Sequence, residues 1–315
     1  MNVAHYTLAS LRDGDALVPA LRVADRYWRF ADFATGRGQP VLPRDLVGVF
    51  ADWPRLAPLM DGLAARAATG TNMTGPGVAA AGAALATPLA YPRKCFCVGA
   101  NYQSHLDEMK ASEIRKIPGR PPFFFLKPPS TTFVGPGPTV HLPHGCEYFD
   151  WEIELAVVFG RGGRHIREAR AMDHVAGFTL ACDFTSRNQM FAPETFFKFD
   201  FTLGKCQDTT NPVGPAILPA HLVADPLDLE FALWVNGVEK QRARAAEMIY
   251  SIPEQIAGVS RFIAIEPGDV MLTGSPAGVG WPRGEKLAPG DVVKLWGAGI
   301  GEMEIVIQPP LEGAP

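Results

Sequence analysis

The sequence predicts a β-rich α+β fold, with a small α/β section ahead of a larger, sheet-dominated one. Three observations carry this. Glycine and proline are in surplus, 32 and 29 of 315 residues, about 19% against a usual ~12%, which supplies turns for many short strands. Past residue 92 the chain breaks into apolar runs of strand length punctuated by these two residues. Helical stretches are few and do not alternate regularly with the runs, which favours an antiparallel or mixed sheet packed on itself over a doubly wound parallel sheet.

Taken in order, residues 1–66 form a small N-terminal domain, with strands expected at 6–11, 16–23 and 26–30 and a helix over 53–68. Residues 67–92 read as a linker, an uncharged stretch broken by Gly70, Gly75, Pro76, Gly77, Gly82 and Pro88. Those breaks exclude a membrane-spanning helix there. Residues 93–315 form the second domain, with strands expected at 95–98, 122–126, 153–159, 175–182, 229–235, 269–272, 292–295 and 303–307. Helices are expected at 102–110, 166–174 and 252–263.

Composition removes several function classes. Hydrophobic residues at 47% and charged residues at 20% exclude disordered, collagenous and disulfide-scaffold chains. A net charge of −4 with no long run of either sign argues against nucleic acid as a partner. Five cysteines without a C-x-x-C pair suggest reduced, buried thiols and neither disulfides nor a zinc knuckle. The first residues carry no basic stretch followed by an apolar one, so a cytoplasmic location with no membrane partner is expected. No serine sits in a G-x-S-x-G elbow, and His141, His144, His165, His174 and His221 lack ligand spacing.

Four segments hold residue types suited to chemistry. In Asp150-Trp151-Glu152-Ile153-Glu154-Leu155, strand alternation places the three acids on one face and the apolar residues on the other. Such a face could simply meet water. Like charges about 7 Å apart repel, however, and the run continues as the uninterrupted apolar strand of a doubly buried element. Asp183 ends another such strand; it caps a turn or adds a third carboxylate, and oxygen-only ligands suit Mg²⁺, Mn²⁺ or Ca²⁺. Thr185, Ser186, Arg187, Asn188 and Gln189 follow closely, and an arginine among amides can hold a carboxylate.

Asn101 is a good N-cap for a helix on which His105 and Glu108, at i and i+3, share a face. A carboxylate beside an imidazole keeps it oriented and basic, which suits activation of a water; an incidental surface pair gives the same spacing. Lys205 follows Gly204 in an expected loop, either solvated or supplying a fixed positive charge to a developing enolate. The glycine-rich run 267–280 is not a phosphate loop, but its amides, with Thr273 and Ser275, can line a small anionic ligand.

In this order the segments resemble the fumarylacetoacetate hydrolase superfamily over residues 93–308. The motifs are Val98-Gly99-Ala100-Asn101-Tyr102 with His105 and Glu108, Phe125-Leu126-Lys127-Pro128, Asp150-x-Glu152-x-Glu154-Leu155 and Asp183-x-x-x-Arg187. Gly204-Lys205 with Pro212 to Pro215, and Gly268-Asp269-Val270 with Thr273-Gly274-Ser275-Pro276, complete the series.

The resemblance implies a mixed β-sandwich roll, a homodimer, and Mg²⁺ (or Mn²⁺ or Ca²⁺) held by Glu152, Glu154 and Asp183. It implies His105 and Glu108 as a water-activating dyad and Lys205 as the enolate-stabilising cation. Arg187, Lys127, Thr273 and Ser275 would hold the substrate's acid end, with Gln189 and Tyr102 also substrate-binding. The activity it implies is metal-dependent hydrolysis of a C–C bond in an acylpyruvate or other 2,4-dioxo acid, such as a fumarylpyruvate-type ring-cleavage product. Hydratase, isomerase or oxaloacetate-type decarboxylase activity on a 2-oxo acid is the alternative on the same scaffold, and a Ca²⁺-stabilised binding module the alternative without catalysis.

The sequence departs from the family pattern in places. Met190, not glutamine, stands three residues after Arg187, and Ser275 replaces the usual threonine. No acid precedes the dyad histidine at Val98, Gly99 or Ala100, which argues against the tyrosine-pathway enzyme itself. The charged segment 107–121 is expected to be a mobile loop that closes over substrate.

Overall fold

The computed structural model describes residues 4–33, 41–194 and 196–311. Its backbone is a 12-stranded mixed sheet facing a 5-stranded one, the β-rich α+β roll expected from the sequence. The strand Ile153–Phe159 lies deep in the larger sheet and every one of its residues is buried. Alternation sorts its side chains: Ile153, Leu155, Val157 and Phe159 enter the core between the sheets with Phe178, Leu180, Phe231, Leu233, Leu295 and Ile305. Ala156 and Val158 enter a second core on the opposite face, with Phe50, Leu56, Met60 and Ile217.

The helix Trp53–Thr69 covers that second face. Trp53, Leu56, Met60, Leu63, Ala64 and Ala67 recur at helical spacing and are buried, and Gly70, at φ 68°, ends the helix in the left-handed region. The N-terminal strands join the same large sheet. Thr7–Asp13 pairs with Asn211–Pro219 through Leu8 and Ile217. The expected linker is also partly woven in: Val78–Ala79 pairs with Arg26–Arg29, and Leu85–Ala86 pairs with Thr7–Asp13. Two-residue strands are too short to show periodicity among glycines and prolines, so sequence pattern cannot reveal them.

Other elements shift modestly. The helix expected at 166–174 is a 3₁₀ segment, Glu168–His174. A helix over Leu46–Ala51, capped by the Asp45 carboxylate, was not anticipated. Lys205 does not stand in a loop: it closes the short helix Phe201–Lys205, which the Asp200 carboxylate caps. Among the described residues no helix is long and apolar enough to cross a membrane.

Candidate active site

Strands Ile153–Phe159 and Val175–Cys182 run antiparallel with Ile153 opposite Cys182 and Glu154 opposite Ala181. One step further, the Asp183 amide donates to the Glu152 carbonyl at 2.8 Å, so these two acids face each other across the strand ends. Glu152, Glu154 and Asp183 share the parity of Ala156, Val158 and Ala181 and leave the sheet on one side. Their carboxylate oxygens lie within 4.8 Å of one another, and all three side chains are buried.

Three buried cations surround this triad. Lys205 donates to Glu152 Oε2 at 2.7 Å and to Asp183 Oδ2 at 2.6 Å. Lys127 donates to Asp183 Oδ1 at 2.6 Å from behind. Arg187 spans two acids, Nε to Asp150 Oδ2 at 2.8 Å and Nη2 to Glu152 Oε1 at 2.7 Å. Asp150 thus stands apart from the other acids of its segment. The strand breaks at Trp151–Glu152, and Asp150 turns to accept from Arg187 and from the amides of Gly280 at 2.6 Å and Trp281 at 3.1 Å.

Four buried acids, Asp150, Glu152, Glu154 and Asp183, thus face three buried cations, Lys127, Arg187 and Lys205. The surplus falls on Glu154, whose only direct donor among the described residues is the Gly274 amide. Burial, then the charges of Asp183 and Glu152, push the Glu154 pKa well above the usual carboxylate range. Burial works the same way on Glu152, but Lys205 and Arg187 overcome it and hold its pKa at about 2. Burial opposes the charge of Lys205, and Asp183 and Glu152 more than restore it, so the ammonium is retained.

This donor set fits a hard divalent cation: three oxygen-only side chains converge, and one acid is left without a counter-charge. A divalent ion there would supply the counter-charge that Glu154 lacks.

Across a cavity of about 170 Å³ stands His105, on the helix Gln103–Glu108. Its Nδ1 lies 2.9 Å from Glu108 Oε1, which leaves Nε2 as the second ring nitrogen. Glu108 also accepts from the Gly278 amide, at 2.9 Å to Oε2, and from Arg283 at 3.0 Å. Burial would raise its pKa, but the His105 contact and the Gly278 amide lower it, so Glu108 stays an anion that orients the ring. Asn101 is not the cap of this helix. It is buried, donating to the carbonyls of Thr273 at 2.8 Å and Tyr250 at 3.1 Å, and so ties the dyad's approach to the glycine-rich turn.

The cavity brings together His105, Glu152, Glu154, Asp183, Arg187, Lys205 and Ser275. Five other sequence candidates lie outside its wall, Glu108 among them, behind the His105 ring. Lys127 is behind Asp183. Thr273 donates its hydroxyl to the Leu155 carbonyl at 2.7 Å. Gln189 is held by Ser186 and Gln207 at 2.7 and 2.6 Å. Tyr102 is fully buried against Phe231, ring centroids 6.4 Å apart.

Val98, Gly99 and Ala100 of the first motif complete the wall with Phe123, Phe125, Phe201 and Met190. Phe125 stands in sequence within the Phe125-Leu126-Lys127-Pro128 motif, Phe123 within an expected strand and Met190 as a departure from the family pattern, and none of the four is a site candidate there. Two glycines flagged by their neighbours give the missed signal. A Cβ on Gly99 would come within 2.9 Å of the Phe123 ring, and one on Gly204 within 2.7 Å of Met190 Cγ.

Residues 94–308 match the family described as fumarylacetoacetate (FAA) hydrolase, C-terminal. The human mitochondrial oxaloacetate tautomerase FAHD2B is 41% identical over 193 residues, 61% of this chain and 59% of that one, so the likeness leaves two-fifths of the relative unmatched. Maleylpyruvate hydrolase from Sphingobium sp. SYK-6 superposes with a TM-score of 0.73 at 26% identity, covering 96% of this chain and 99% of that one. Fumarylpyruvate hydrolase from Pseudomonas aeruginosa, solved with Mn²⁺ and pyruvate, gives 0.62 at 30% identity, covering 70% and 91%. A β-rich roll, a buried carboxylate triad and a family match over two-thirds of its length place this chain in the fumarylacetoacetate hydrolase family.

Proposed function

We propose that the protein is a divalent-metal-dependent acylpyruvate hydrolase, which adds water to the acyl carbonyl of a 2,4-dioxo acid and releases pyruvate and the acyl carboxylate. The observation that carries this is the cluster of four acids against three cations, with Glu154 lacking a cationic partner, facing the His105–Glu108 dyad across one small cavity. Glu152, Glu154 and Asp183 would hold a divalent cation, which would supply Lewis-acid polarisation of a 2-oxo acid. Mn²⁺ and pyruvate in the Pseudomonas aeruginosa hydrolase support that ligand class, and Mg²⁺ suits the same donors.

The chain's own groups do the rest. His105, held at Nδ1 by an anionic Glu108, takes a proton from water at Nε2. The hydroxide equivalent adds to the acyl carbon, and the C3–C4 bond breaks with its electron pair moving into the pyruvate enolate. Lys205, a fixed ammonium lining the cavity, offers a positive charge to the oxygen on which that charge develops. Arg187 keeps Glu152 in place and offers its remaining N–H groups to the substrate carboxylate. His105 then returns a proton to C3.

A second reading, keto–enol tautomerisation of a 2-oxo acid, is favoured by the 41% identity to the human tautomerase. It uses the same dyad to move a proton at C3 without C–C cleavage. Pyruvate release from 2,4-dioxopentanoate in the presence of Mn²⁺ decides between them. The hydrolase reading expects release, abolished by Glu152→Ala and cut about 10²–10⁴-fold in kcat by His105→Ala; loss of the enol absorbance without pyruvate would favour the tautomerase. The reading includes a homodimer, supported by exposed Phe196, Phe197, Phe199 and Leu203 on one segment.

A further inference from the structure

We propose that the acyl group this site accepts is apolar, branched alkyl or aryl, and ends without a second carboxylate; the inference rests on the acylpyruvate reading above. The cavity has two chemically unlike ends. Lys205 and Arg187 stand at one, beside the triad. The other is aromatic: Phe125 and Phe201 have ring centroids 4.9 Å apart, Phe123 and Phe201 5.2 Å, and Phe199 extends the row at 5.7 Å from Phe201. Phe123 is 51% exposed, so the row runs from the charged floor to the mouth. Lys205 Nζ lies 6.0 Å from the Phe125 centroid, which fixes where the charged end stops.

A distal carboxylate at that end would meet ring faces, which carry negative charge, and would lose water without gaining a partner. The cations that line the cavity, Lys205 and Arg187, stand at the triad end, where they pair with Glu152, Asp183 and Asp150 and face the 2-oxo-acid head, not the aromatic end. Two cations of the surrounding segments are engaged elsewhere. Lys116 pairs with Glu254 and lies 5.3 Å over the Tyr250 ring, and Arg283 holds Glu108. The cavity, about 170 Å³, is little larger than the ~150 Å³ that holds one benzene ring, so the dioxo-acid head fills it and the tail runs outward along the rings toward the exposed Phe123.

The test compares two 2-oxo acids of matched shape on the Mn²⁺-loaded full chain by calorimetry. 5-Methyl-2-oxohexanoate ends in an isopropyl group where 2-oxoglutarate ends in a carboxylate. The apolar compound is expected to bind at least tenfold tighter, about 1.4 kcal/mol. Phe201→Ala is expected to collapse the ratio, and Phe123→Arg, at a half-exposed position that tolerates charge, to reverse it.

Equal or tighter binding of 2-oxoglutarate by the wild type overturns the inference, as does binding of oxalate with neither tailed acid. Failure of the underlying reading shows separately, as no pyruvate released from 2,4-dioxopentanoate, and leaves the binding comparison intact. If oxalate, too, fails to bind, both fall.

Discussion

The two sides of the cavity are built differently. Its floor hangs from the ends of two central strands, and six of its seven buried ionisable side chains hold one another through short hydrogen bonds. The facing side is a six-residue helix, a glycine-rich turn and a row of phenylalanines. The floor is electrostatically prearranged, with each acid but Glu154 already matched. The dyad side depends on one imidazole kept in place by Glu108 and the Gly278 amide. The contrast teaches that rigid charge sits where strand alternation positions it, while the group that must exchange protons sits on a short, partly exposed element.

Breaking the floor should cost most. Asp150→Ala leaves Arg187 buried without its Nε partner, and we expect a loss of roughly 3–5 kcal/mol of stability, read by urea unfolding. A loss below 1 kcal/mol would mean the cluster is not prearranged as described.

On the dyad side the expected effect depends on pH. Glu108 has a lowered pKa in the folded chain, so its contribution to stability is present above the unfolded value of about 4.3 and lost as pH falls through the lower folded value. Glu108→Gln should therefore differ from wild type at pH 7 and converge with it in acid. A constant difference from pH 7 to 3 would show that packing and not charge is being measured. Smallest is Arg283→Ala, expected to cost under about 1 kcal/mol because the guanidinium is 43% exposed. A larger loss would make this side as prearranged as the floor.

The floor was largely legible in the sequence because alternation alone brings Glu152 and Glu154 to one face and the apolar run marks the strand as buried. Asp183 followed from its place at the end of a second such run. What alternation cannot show is which distant segment meets a strand end. Lys205 was visible as a residue, but its ion pairs with Glu152 and Asp183 arise from a short helix carried there by the tertiary fold. Asp150 shared the parity of the other acids, and only the break after it redirects its carboxylate to Arg187. The phenylalanine wall was hidden for a plainer reason: exposed to a cavity or buried in a core, an aromatic residue looks the same in sequence.

The central claim is that the uncompensated acid cluster is a divalent-cation site on which turnover depends. Its most direct test is pyruvate release from 2,4-dioxopentanoate by chelator-treated protein as Mn²⁺ is titrated back. No release is expected before titration, with recovery that saturates at one equivalent per chain and none in Glu154→Gln. Release that survives complete chelation would contradict it.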